Sequence, residues 1–147
     1  MATPAQLARF KEQWRALPAP SASMERLTGS FSGHMHFFAG SGALKALVNC
    51  LWQGTDFSGT TATTLVAWIV RKTPPETGLV SYVEQSTIDG KPCIRIDFAD
   101  RFYQGRWLDD DRLLDIVTFK KPNAFPNEDN VSDVHILTRR KRYEKAL

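Results

Sequence analysis

Only two cysteines, Cys50 and Cys93, occur in 147 residues. A disulfide framework is therefore excluded, and no Cys-x-x-Cys pair exists for redox or metal chemistry. No apolar run reaches the length of a membrane-spanning helix. Gln6, Arg9, Lys11, Glu12 and Gln13 interrupt the first residues, so they do not read as a secretory signal. A cytoplasmic location is the expectation, with a mature secreted chain as the alternative. The chain also has no phosphate loop, no dinucleotide fingerprint and no serine in a nucleophile elbow. Net charge is only +3, and much of the excess lies in "RRKRYEK", Arg139 to Lys145. Tyr143 is the one aromatic there, so this tail reads as solvated rather than as a nucleic-acid patch.

The apolar share, 42%, is too high for a disordered chain and indicates one folded domain over residues 1–147. It divides into a helix and linker (1–23), a body (27–139) and a basic tail (140–147). In "TPAQLARFKEQWRAL", Thr3 caps a helix, Pro4 suits its first turn, and Gln6 stands three after the cap. Leu7, Phe10, Trp14 and Leu17 form its apolar stripe. "PAPSAS" then breaks the helix.

From Leu27 the period becomes two: Phe31, Met35 and Phe37 alternate with Ser32, His34 and His36. "GSG" at Gly40 to Gly42 ends this strand. A second helix is predicted next, capped by Ser41, with Leu44, Leu47, Val48 and Leu51 on one face and Gly54 at its end. The rest reads as β. Residues 59–72 are rich in β-branched side chains. "LVSYVEQSTI" and "PCIRIDFADRF" flank Asp89-Gly90, a hairpin signal. "RLLDIVTFKK" and "VSDVHILTRR" close the sheet around a polar loop at 122–130.

Six or seven strands in hairpin order predict a mainly β, antiparallel, barrel-like sheet with an N-terminal helix and one helix after the first strand. The alternative is a cone-shaped α+β sheet with helices in its mouth. The order "LTGSFSGHMHFF", helix, "LWQGTDFSG", "STIDGKPCIRIDF" resembles small lipocalin-like proteins of the calycin type over roughly residues 27–120. In such families a G-x-W or W-x-G element lies near the barrel's closed end. Here Cys50 stands two before Trp52, where G-x-W would need glycine. The resemblance implies an apolar cavity that binds a small molecule.

Several residues could carry chemistry. His34 and His36 lie two apart on a strand and share a face. With His135 they could hold a zinc ion and leave its fourth position open. The plainer readings place them in water or lining a pocket, where either could act as acid or base. Arg95 and Asp97 share a face of "CIRIDFADR". They pair on an exposed sheet surface or, inside a barrel, grip a ligand, with Asp97 holding a proton. Trp52, Tyr82, Trp107 and Phe119 are candidate walls of an apolar pocket, whereas Trp68 suits the core. The leading functional expectation is binding of a small apolar molecule, with no cofactor. An enzyme on the same pocket (lyase, isomerase or cyclase, with or without zinc) and a protein-interaction module are the alternatives. Self-association is left open, and nucleic acid is not expected as a partner.

Overall fold

A computed structural model of the chain describes residues 3–21, 26–37, 52–67, 74–125 and 127–140, with the backbone alone at 34, 35, 37, 52, 53 and 65–67. Helix α1 spans Pro4–Ala16. Its start is a reciprocal capping box: the Gln6 amide donates to Thr3 Oγ1 (3.2 Å) and the Thr3 amide donates to Gln6 Oε1 (2.7 Å). Leu17 leaves the helix for extended backbone, at φ −74° and ψ 146°. Pro18 follows it, and the ring of a proline disfavours helical geometry in the residue before.

Eight strands follow: β1 (Gly29–Phe37), β2 (Trp52–Ser58), β3 (Thr61–Ala67), β4 (Glu76–Val83), β5 (Cys93–Asp97), β6 (Arg101–Trp107), β7 (Arg112–Phe119) and β8 (Val131–Arg139). Each pairs antiparallel with the next, and β1 pairs with β8, so the sheet is a closed barrel. Strand alternation sends Phe31, Phe57, Val80, Ile94, Ile96, Tyr103, Trp107, Leu113, Val117 and Leu137 into one buried inner cluster. Leu114, Ile116 and Val134 point the other way and meet Leu7 and Trp14 of α1. The barrel wall therefore has a core on each side of it.

The helix is bolted to the outside by polar contacts as well. Trp14 is fully buried and its indole N–H donates to the Gln104 carbonyl at 3.1 Å. The Arg106 guanidinium lies 3.8 Å from the Trp14 ring centroid and forks onto Asp89 at 2.8 and 3.0 Å. It also donates to the carbonyls of Pro92 and Trp14. Partial burial pushes the Asp89 carboxyl up, but the Arg106 and Ser86 hydrogen bonds outweigh it and hold the group at about 2.

Three expectations need correction. "PCIRIDFADRF" is not one strand. It turns at 98–100, where the Phe98 amide donates to the Arg101 carbonyl (2.9 Å), giving β5 and β6; β2 is a further strand not expected, and the count is eight. No glycine or proline marks this turn. Second, Gly54 does not end a helix: it lies within β2, paired with Ser32 and Leu65. Trp52 and Gln53, also within that predicted helix, belong to β2 as well; its remainder, and the strand end that includes Trp68, lie outside the described residues. Third, Asp89-Gly90 does mark a hairpin, since β4 and β5 pair antiparallel, but the strands stop short of it at Val83 and Cys93. It sits in a longer connection, 84–92, where Gly90 has φ +72° and Ser86 accepts and donates across the loop.

Candidate functional site

One end of the barrel is filled. Leu27, Phe31, Trp107, Leu113 and Leu137 are all buried there. Two arginines cover this plug. Arg26 stands 4.5 Å from the Trp107 ring centroid, and Arg139 stands 4.7 Å from that of Phe31. Arg139 is held by the carbonyls of Thr28 (2.7 Å) and Arg26 (2.6 Å) and by Asp111.

Further along the axis the inner wall becomes polar. Asp115 on β7 pairs in register with His135 on β8, and Val117 pairs with Asp133. The parity that turns Leu113, Val117 and Leu137 inward turns these three ionisable groups inward too. All three are essentially without solvent exposure. His135 Nδ1 hydrogen-bonds Asp133 Oδ2 at 3.0 Å, which places a proton on that nitrogen. Ser132 donates to Asp133 Oδ1 at 2.6 Å. The register slips beside these residues, between Val117 and Thr118 on β7, a bulge that re-aims the start of β8.

His135 Nε2 lies 3.3 Å from Asp115 Oδ2, near enough for an ion pair but off hydrogen-bond alignment. Nε2 and both Asp115 oxygens have no hydrogen-bond partner among the described residues. Asp115 fits because Gly105 faces it from β6: a Cβ there would run into Oδ1. The Tyr103 ring sits edge-on to His135, with centroids 5.3 Å apart. Arg101 reaches the Tyr103 hydroxyl at 3.4 Å and pairs with Asp100 (2.7 Å) and Glu76 (3.2 Å).

Burial works on each group differently. It drives the Asp115 carboxyl upward, and the neighbouring His135 only partly offsets this. Burial alone would lower His135, but the adjacent Asp115 carboxyl and the hydrogen bond to Asp133 reverse that and lift it to about 9. The ring is therefore an imidazolium at neutral pH, flanked by two carboxyls. Such a set can hold a proton, hand it across a short gap, or bind a polar group.

The residues singled out in the sequence are dispersed. His36 is exposed on the outer surface, its ring 5.3 Å from Phe10 of α1, whereas His135 is inside the barrel. These two rings stand on opposite sides of the wall and do not converge. The side chain of His34 lies outside the description. No group of three metal-ligating side chains suited to an ion occurs among the described residues. Arg95 and Asp97 form a two-pronged pair at 2.8 and 2.9 Å, partly exposed, with Arg95 stacked 3.9 Å over Phe102 and Lys120 beside Asp97. That is the surface pairing, not the interior one. Trp107 belongs to the inner plug. Tyr82 is half-buried and pairs with inward-facing Ile94. Phe119 packs edge-on against Phe125, 5.0 Å between centroids. The side chain of Trp52 is not described; its backbone pairs with His34 and Ala67, away from the plug.

Comparison of the chain with protein-family models, with curated proteins and with solved structures finds no match in any of the three. No helix among the described residues is long and apolar enough to cross a membrane.

Proposed function

We propose that the protein binds a small, largely apolar molecule inside its barrel, as the resemblance to lipocalin-like proteins implies. The observation that carries this reading is the buried Asp115 carboxyl, whose two oxygens take no hydrogen bond among the described residues although His135 lies beside it. Buried polar atoms are nearly always paired, and each exception calls for a reason. Eight strands enclose an interior that side chains either fill or share with one small guest. The inner aromatics Phe31, Phe57, Tyr103 and Trp107 supply the apolar contact surface.

Native mass spectrometry of protein purified from its own host tests this. A retained small molecule, released on denaturation, is the expected result. A bare polypeptide mass, together with no uptake of the apolar dye Nile red, overturns it. The same spectrum would carry a stoichiometric zinc ion if one were bound.

One observation favours an enzyme as the second reading. Asp133 orients His135 through Nδ1 and leaves Nε2 beside Asp115, the arrangement by which a carboxylate positions a histidine acid or base. On that reading the reaction is a proton transfer of the lyase or isomerase kind. His135→Asn would then abolish turnover of the bound molecule without expelling it.

A further inference from the structure

We infer that the Asp115–His135 pair recognises a neutral group that both donates and accepts a hydrogen bond, an alcohol or primary amide on an otherwise apolar molecule. This rests on the reading that the barrel interior is the binding site. The argument starts from three buried atoms: the two Asp115 oxygens, which accept, and His135 Nε2, which donates when the ring is protonated. His135 Nδ1 is already committed to Asp133, and Nε2, ion-paired with Asp115, makes no hydrogen bond among the described residues. Acceptor and donor are 3.3 Å apart, close enough for one small group to serve both.

A hydroxyl completes this set. Its proton goes to an Asp115 oxygen, and its oxygen accepts from Nε2. A primary amide does the same through its N–H and its carbonyl. Other head groups fail on stated grounds. A carboxylate would add a third negative charge beside Asp115 and Asp133, with one imidazolium to balance them. Arg101 cannot take it over, because it already pairs with Asp100 and Glu76. An ammonium would satisfy Asp115 but face the imidazolium. A hydrocarbon would leave all three atoms unpaired, each at a cost.

Four molecules that share one aromatic body separate these cases: naphthylmethanol, naphthamide, naphthoate and methylnaphthalene. Their affinities for the full chain are read by calorimetry and by displacement of Nile red. The alcohol and amide should bind at least about tenfold tighter than the hydrocarbon and the acid, because a buried polar site penalises a guest that leaves it unpaired. Asp115→Leu, which removes both acceptor oxygens, should shrink that preference to within about threefold. The series on the unaltered protein decides the matter even if this variant does not fold. Alcohol and hydrocarbon binding alike, or the acid binding tightest, overturns the head-group assignment and leaves the site standing. Failure of the dye and of all four molecules overturns the site itself.

Discussion

His135 couples the protein's stability to pH in a definite direction. Its pKa rises from an ordinary 6.5 to about 9 on folding. The stability it contributes is therefore complete below pH 6.5 and is lost as pH climbs through 9. Asp115 is also raised, so folding favours its protonated form and ionisation works against the fold. The unfolding free energy read by urea denaturation should fall between pH 7 and 10, by an amount on the order of 2–3 kcal/mol. His135→Asn should flatten that fall; an unchanged slope would contradict the assignment. Asp89 acts at the other extreme. Held at about 2, it contributes stability above its ordinary 3.8 that disappears as pH drops towards 2. His135 stands out in the sequence, but its partners Asp115 and Asp133 do not, because aspartate is common on the exposed faces of strands. The signal was there in parity: Leu113, Asp115 and Val117 share one face of an otherwise apolar strand, as do Asp133, His135 and Leu137. A charge in such a row is carried inside the barrel with its apolar neighbours.

Helix α1 was legible to the residue, since its cap, its proline and its apolar stripe all point one way. Thr3→Ala should lower stability by about 1 kcal/mol through the lost cap. Trp14→Ala should cost about 3–5 kcal/mol, since it empties a fully buried site and removes the ring under Arg106. Urea denaturation measures both, and similar losses for the two would mean that the helix is not docked as described. The turn at 98–100 was not legible. Phe98 continues the inward alternation of Ile94 and Ile96, so hydrophobic patterning runs on through a reversal that only backbone hydrogen bonds reveal. The hairpin at Asp89-Gly90 was legible, but the length of its connection, 84–92, was not, because Asp89 works at long range: its carboxylate belongs to Arg106.

Closure depends on one seam, where the first strand meets the last. Gly33 lies buried there, and a Cβ on it would strike the Ile136 carbonyl, which is backbone and cannot swing aside. Gly33→Ala should therefore cost on the order of 3 kcal/mol. Gly54→Ala, with nothing within 4 Å of the added carbon, should change stability by less than about 0.5 kcal/mol. Equal effects in denaturation would show that the seam is not closed as described. Such a seam joins residues more than a hundred positions apart, as in the pairing of Phe31 with Arg139. Folding should accordingly fall in the millisecond-to-second range of sheet proteins with distant pairings. Hairpin order, and with it a barrel-like sheet, was readable because it is local; the register of the closing pair was not, since nothing in either strand's own residues names its neighbour.

Cys93 lies wholly buried on the outer wall in the cluster that α1 covers, and burial pushes its thiol up to about 12. Sulfur in that state is chemically silent towards maleimides. With Cys50 replaced by serine, the rate at which a maleimide labels the protein becomes a clock for how often the helix lifts away, readable by mass in undisturbed buffer.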